Sequence, residues 1–323
     1  MLRMPEFEYH HPKTAEEAVA LWNSLEDAMY VAGGTDLLPN MKHKLFTPKH
    51  VIGLTGLPKP KIHISETQIV LDAGVSLHVL ATDAQIVEEL PPLAEAAGLV
   101  AGPQIRRMGT IGGNVLLDTR CLYYNQTEFW REALGYCLKK EGTWCHVVGG
   151  PKTCVAAQSS DTVPVLLALD ASIVLLSPEG ERELSIRDLY TFNGMDHLKI
   201  EKGELLTQVR IPRPKKGFCG QYKKLRTRDS IDFPQLGVAI CGRMEGDVLA
   251  ELEIVVGAIN PRPKQIKGLA NFLEKPLDDD AIEKICALVQ KQTRPQGSVH
   301  GDTSWRRAMS SIFVSRALRD LFT

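Results

Sequence analysis

Four cysteines, Cys121, Cys137, Cys145 and Cys154, fall within 34 residues of a 323-residue chain, while Cys219, Cys241 and Cys286 are scattered. A cysteine sulfur can ligate a metal, act as a nucleophile or close a disulfide, so a cluster of four marks a metal centre or a covalent framework. The spacing C-x15-C-x7-C-x8-C lacks the C-x2-C knuckles of structural zinc and the tight run of ferredoxins. Spacing alone leaves zinc, an iron–sulfur cluster and unligated thiols open.

Composition narrows the setting. Hydrophobic residues make up 44% and charged residues 24%, enough for a normal core, and the length suggests two domains. The net charge of −1, with no basic tract, gives no reason to expect nucleic acid or an anionic membrane as partner. Residues 1–12 hold no apolar signal-peptide core and no window is long enough to span a bilayer, so a cytoplasmic location is expected. In a reducing compartment, clustered thiols more often bind metal or do redox work than pair structurally, and an odd total of seven also argues against a fully paired framework. Cys286 continues an apolar helical stripe with Ile282, Ile285 and Val289, and Cys241 ends the apolar run 236–240, so both read as small core hydrophobes. Cys219, beside Gly217 and Gly220, has no assignment.

Two glycine loops form the second candidate constellation. The first is Val31, Ala32, Gly33, Gly34, Thr35, Asp36 and Leu37; the second is Thr110, Ile111, Gly112, Gly113 and Asn114. Glycine lets a backbone approach a ligand closely and adopt positive φ, so either loop could turn N–H groups toward anionic oxygen. Neither matches the dinucleotide or Walker patterns, and each taken separately is also an ordinary turn.

The elements that must position these residues are partly legible. Thr14 and Glu17 form a capping-box pattern ahead of Ala18, Leu21, Trp22 and Leu25 at helical spacing. Strands are predicted over residues 28–32, 51–54 and 69–75, a helical segment over 77–90 stopped by Pro91-Pro92, and a short helix over 93–100. After the cysteines come a helix or turn over 161–169 and a strand over 172–176. Pro212, Pro214, Lys215, Lys216 and Gly217 read as a joint, giving domains 1–216 and 217–323. The second carries strands over 237–244 and 249–259, then helices over 280–291 and 304–322, an α+β order. The last helix is predicted to bury Trp305, Met309, Ile312, Phe313 and Ala317.

Several of these motifs together resemble a known family. Phe7-Glu8-Tyr9-His10-His11-Pro12, the following helix and Ala32-Gly33-Gly34-Thr35-Asp36-Leu37 are similar to the opening of the FAD-binding subunits of molybdenum hydroxylases. The likeness continues through Pro103-Gln104-Ile105-Arg106, residues 109–114, Ser160-Asp161 with residues 166–171, and residues 222–228, ending at Ser304-Trp305-Arg306-Arg307. It implies an α+β protein with a two-part PCMH-type FAD-binding domain, subdomains about 1–57 and 58–216, and a C-terminal domain of the CO dehydrogenase flavoprotein type. It also implies that residues 31–37 with Thr110, Gly112, Gly113 and Asn114 hold the FAD diphosphate, and that Asp161 and Lys224 are flavin-binding positions. Taken alone, Asp161 would read as a helix N-terminal acid and Lys224 as a solvated charge at a strand end.

One departure carries the most information. Family members usually have a short link between the Gly-Gly-Asn loop and the Ser-Asp pair, whereas here 46 residues separate Asn114 from Asp161 and enclose all four cysteines. That insert, about residues 116–159, resembles the flavin subunit of 4-hydroxybenzoyl-CoA reductases, including Asp118-Thr119-Arg120-Cys121 and Tyr124-Asn125-Gln126. The resemblance implies a [4Fe–4S] cluster on Cys121, Cys137, Cys145 and Cys154, with apolar cover from Trp130, Tyr136 and Trp144 and tight loops at Gly142, Gly149 and Gly150. His146 is expected to stand outside the ligand set.

By the same resemblance the partners are a large molybdopterin subunit and a small subunit with two [2Fe–2S] clusters, in a dimer of heterotrimers. Electrons from a ferredoxin-like donor would pass by way of this chain for reductive dehydroxylation of an aromatic thioester on a partner chain. No catalytic acid, base or nucleophile is expected here. The competing expectations are the flavin subunit of an oxidative xanthine- or aldehyde-type dehydrogenase, and a zinc-stabilised interaction subunit without redox chemistry.

Overall fold

The capping pattern at Thr14 opens a helix as expected: Thr14 Oγ1 accepts from the Glu17 N–H at 3.1 Å, and Glu17 reaches back to the Lys13 N–H at 2.6 Å. The computed structural model describes residues 2–246 and 248–322. Its first unit runs β1 (Glu8–His10), α1 (Ala15–Ser24), β2 (Ala28–Val31), α2 (Leu37–Lys42) and β3 (His50–Gly53). The three strands pair in parallel with β3 in the centre, which helical crossovers α1 and α2 make possible. Ala18 and Val19 of α1 pack on Ile52 on one face, while Met41 packs on Val31 and Val51 on the other.

The second unit holds β4 (Ile62–Ile64), β5 (Gln68–Asp72), α3 (Leu77–Thr82), α4 (Ala84–Glu89), α5 (Pro91–Gly98), α6 (Pro103–Met108) and α7 (Ile111–Val115). It continues through α8 (Glu128–Leu134), α9 (Thr162–Ala168), β6 (Ser172–Ser177), β7 (Gly180–Ser185), α10 (Ile186–Leu189) and β8 (Leu205–Pro212). The strands form an antiparallel sheet in the order β4-β5-β8-β6-β7. The helical segment foreseen over 77–90 is two helices, because Asp83 leaves α3 in an extended conformation and caps α4 through the N–H groups of Gln85 and Ile86. Pro91 then opens α5 at a position where its missing N–H costs nothing.

The last unit is β9 (Phe218–Leu225), β10 (Leu236–Glu245), β11 (Val248–Gly257), β12 (Lys264–Gln265), α11 (Asp279–Gln292) and α12 (Thr303–Phe322). Its antiparallel sheet, β12-β11-β10-β9, is covered on both faces. Ala239, Cys241 and Val255 face the core of the second unit, and Val238, Ile240, Ile254 and Val256 face α11 and α12. Burial on both sides explains the uninterrupted apolar run, where a half-exposed strand would alternate.

The buried stripe of α12 differs from the expectation. Trp305 and Ile312 are exposed, and the buried positions are Arg306, Ser310, Val314, Ala317 and Leu318. Arg306 causes the shift: its guanidinium donates to the carbonyls of Gln235, Gln296 and Ala258 at 2.7–2.8 Å, so a charged residue occupies a core position. Burial pushes its pKa down to about 10, which still leaves it charged. Among the described residues, no helix is long and apolar enough to cross a membrane.

Candidate cofactor sites

The two glycine loops lie against each other. A Cβ built on Gly33 would meet the Met108 carbonyl oxygen at 1.8 Å, so the first loop touches the backbone that leads into the second. Gly34 has φ of +69°, which an L side chain adopts only with strain. In the second loop, Thr110 caps α7 by accepting from the Gly113 N–H at 3.1 Å, and a Cβ on Gly112 would meet that of Ala73 at 2.7 Å. Asn114 is turned inward, its Oδ1 accepting from Ser160 and Thr162, both at 2.6 Å. The second loop is thereby fastened to the segment bearing Asp161.

Asp161 and Lys224, distant in sequence, meet. Lys224 Nζ donates to Asp161 Oδ2 at 2.9 Å and to the Leu99 carbonyl at 3.0 Å, while Tyr222 donates to Asp161 Oδ1 at 2.8 Å. Both side chains are almost completely buried, so Lys224 is no solvated strand-end charge. Asp161 precedes α9 without capping it through its side chain. Burial pushes its carboxyl up, and Lys224 and Tyr222 oppose that rise.

The four clustered cysteines converge on one pocket. Cys121, Cys137, Cys145 and Cys154 line it together with Tyr123, Tyr124, Leu138, Val147 and Ala156. These residues give the apolar cover, in place of Trp130 and Trp144, which are 39% and 50% exposed. The ligand loops are tight, as the glycines suggested: a Cβ on Gly142 would strike the Cys137 nitrogen at 2.7 Å, and Gly149 has φ of +64°. His146 Nε2 is 2.6 Å from the Tyr136 carbonyl, a backbone bond that occupies the ring nitrogen.

All four cysteines are free thiols. Burial pushes the Cys121 thiol up to about 12 and raises that of Cys154, whose neighbour Lys139 acts in the opposite sense. Buried thiols with raised pKa values become thiolates when a cationic centre compensates them.

The sequence reading overlooked two arginines that seat this insert. Arg131 of α8 is buried and donates to the carbonyls of Gln126, His43 and Lys44, the last two just beyond α2. Arg120 pairs with Asp36 of the first glycine loop and lies over the Phe233 ring, 4.6 Å from its centroid. Leu45 and Phe46, which follow α2, share a small core with Tyr124, Cys121 and Cys137. The insert is thus built onto the segment that begins with the first glycine loop.

Residues 5–214 match the family described as FAD binding domain in molybdopterin dehydrogenase, and residues 220–321 match the CO dehydrogenase flavoprotein C-terminal domain. The carbon monoxide dehydrogenase medium chain of Afipia carboxidovorans is 31% identical over 315 residues, covering 97% of this chain and 95% of that one. The xanthine dehydrogenase FAD-binding subunit of Escherichia coli O157:H7 is 25% identical over 321 residues, covering 97% and 94%. The solved carbon monoxide dehydrogenase of Hydrogenophaga pseudoflava superimposes with a TM-score of 0.80 at 27% identity, covering 99% of this chain and 98% of that one.

Proposed function

Because the chain belongs to the FAD-binding subunits of the molybdenum hydroxylase family, we propose that it relays electrons between a [4Fe–4S] cluster in its insert, its FAD and the [2Fe–2S] and molybdenum centres of partner subunits. The observation that carries this reading is the convergence of four free cysteines on one pocket, in an insert whose Arg120 pairs with Asp36 of the first glycine loop. When bound, such a cluster exchanges one electron at a time and FAD exchanges one or two, so the pair joins a one-electron partner to flavin chemistry.

The chain's own residues hold and insulate. Cys121, Cys137, Cys145 and Cys154 would ligate the cluster, while Tyr123, Tyr124, Leu138 and Val147 keep water from it. Lys139, whose Nζ is 2.5 Å from Asp118 Oδ1, brings positive charge to the rim. Residues 31–37 with Thr110, Gly112, Gly113 and Asn114 would cradle the FAD diphosphate through backbone N–H groups. Asp161 and Lys224 would support that site as a closed ion pair in contact with the α5 end at Leu99.

The reading extends to an assembly of this flavin subunit (residues 1–216 for FAD, 217–323 for the second domain) with a large molybdopterin subunit and a small [2Fe–2S] subunit in the cytoplasm. A ferredoxin-like donor and reductive dehydroxylation of a 4-hydroxybenzoyl-CoA-like thioester fit an added one-electron port better than hydride exchange with a nicotinamide does. The substrate would react on the large subunit.

The test is iron, zinc, acid-labile sulfide and released flavin measured on anaerobically purified protein. About four irons, four sulfides and one FAD per chain are expected. One zinc without sulfide would overturn the relay.

A further inference from the structure

One residue connects the two cofactor regions. Arg120 is the immediate neighbour of Cys121, and its guanidinium pairs with Asp36 Oδ1 in the first glycine loop. The remaining oxygen of Asp36 accepts from Asn40 Nδ2 at 3.1 Å, so Arg120 is its ionic partner and Asn40 a neutral one. The arginine has little freedom. Its main chain exchanges two hydrogen bonds of 2.8 Å with Ala157, its Nη1 lies 3.4 Å from the Asp118 carbonyl, and Phe233 covers its face. The side chain is 9% exposed, whereas that of Asp36 is 34% exposed. Cys121, one peptide bond away, is held through its N–H to Asn125 Oδ1 at 2.9 Å.

We propose that Arg120 is a positioning residue that makes FAD retention depend on the occupied cysteine site. The inference rests on the function proposed above. The first glycine loop has to accept an anionic diphosphate, yet it carries a carboxylate of its own at Asp36. With Arg120 in place that charge is neutralised. If the cysteines lose their metal, Arg120 keeps its two main-chain bonds to Ala157 and Cys121 its bond to Asn125, but the sulfur end of Cys121 is released. The guanidinium then has room to shift, the pairing loosens, and a bare negative charge opposes the diphosphate. Linkage makes the dependence mutual: whatever tightens FAD binding on ligating the cysteines equally favours ligation when FAD is bound. Arg131 is the contrasting case, since its three carbonyl bonds seat the insert without touching a glycine loop.

The experiment measures FAD dissociation constants anaerobically on the full chain by flavin fluorescence, with iron and sulfide counted on every sample. Cys154→Ser supplies the cluster-free form without altering a residue next to Arg120. It is expected to bind FAD about tenfold more weakly than the loaded wild type, within the usual range of coupling between sites. Arg120→Gln with its cluster intact should weaken FAD similarly, Arg120→Lys should recover part of the loss, and the Arg120→Gln/Cys154→Ser pair should be no weaker than either alone. Asp36→Asn, which removes the charge to be neutralised, should make FAD affinity the same with and without Cys154→Ser, and this comparison stands even if Arg120→Gln does not fold.

Multiplying losses in the double variant, or a cluster dependence that persists in Asp36→Asn, overturns the inference. So does equal FAD affinity in loaded wild type and Cys154→Ser, which leaves the relay untouched. Wild type that takes up no iron and sulfide overturns the relay and this inference together.

Discussion

The carbonyl oxygen of Met108 lies so close to Gly33 that a single added methyl carbon would meet it at 1.8 Å, well inside any van der Waals contact. Gly33 is not at positive φ, so the demand is for space alone: two loops distant in sequence share one surface with no room for a Cβ. The neighbouring contact of 3.5 Å between a Gly109 Cβ and Thr35 Oγ1 belongs to the same closure. Gly33→Ala must therefore part the loops. We expect it to cost about 1–3 kcal/mol of stability, the usual range for overpacking, and to abolish stoichiometric FAD binding. Flavin released per chain and a thermal melt check both, and retention of one FAD per chain would show that the loops are not the diphosphate cradle.

Removing one ligand separates the two cofactors by colour. Cys137 is buried among Leu45, Tyr124 and Cys121. Cys137→Ser keeps the volume of the site but replaces a thiolate donor with a hydroxyl that coordinates iron poorly. The expected protein is yellow rather than yellow-brown, with flavin bound and iron and sulfide lost. The flavin would bind more weakly, by the factor that the Arg120 coupling sets. Unchanged absorbance near the cluster bands would remove Cys137 from the ligand set.

Why the cysteine pocket and the loops were legible while other features were not is a matter of signal range. Cys121, Cys137, Cys145 and Cys154 announce themselves by residue type, and Gly33, Gly34, Gly112 and Gly113 by local backbone freedom. Strands β6, β10 and β11 show as continuous apolar runs, and helices α1, α11 and α12 as apolar residues at helical spacing. Strands β8 and β9, which mix polar and apolar residues, went unread. Strands β1, β4 and β12 have two or three residues each and exist because a neighbouring strand pairs with them. Arg306 reversed the expected face of α12 because a buried guanidinium is tolerated where three carbonyls from strand ends and a loop converge, and sequence spacing does not record convergence. Arg120 and Arg131 escaped for the same reason: their partners lie more than 80 residues away.

His197 makes the insert region sensitive to mild acid. Its Nε2 lies 3.1 Å from the Leu117 carbonyl and its Nδ1 3.8 Å from Asp118 Oδ1. Burial lowers its pKa, a pull that the Asp118 carboxylate only partly offsets and that nearby Lys139 reinforces. In the unfolded chain the imidazole titrates near pH 6.5. Above that value it is neutral in both states and the folded form keeps its full advantage. As the pH falls below 6.5 the unfolded chain binds the proton first, so stability drops until the folded pKa is passed, by about 1.4 kcal/mol for each unit of separation. Urea midpoints should fall between pH 7.5 and 5.5, and His197→Gln should flatten that slope. An equal slope in the variant would place the sensitivity elsewhere.

The buried pair Asp161–Lys224 gives a prediction that separates support from contact. Each charge is paid for by the other, since Asp161 is 4% and Lys224 1% exposed and the carboxylate has Tyr222 as its further donor. Lys224→Met leaves an anion in the core with one neutral hydrogen bond and should cost about 3–5 kcal/mol. Asp161→Asn alone leaves the ammonium two acceptors, the amide oxygen and the Leu99 carbonyl, and should cost less. Combining Asp161→Asn with Lys224→Met removes both charges, and its loss should fall well short of the sum of the single losses. Urea unfolding of the four proteins gives the coupling energy, and FAD affinity is read on the same samples. If the double variant folds nearly as well as wild type and still binds FAD, the pair supports the site through the packing of α9 against β10 and β11. If it folds but loses FAD, Asp161 or Lys224 touches the flavin itself.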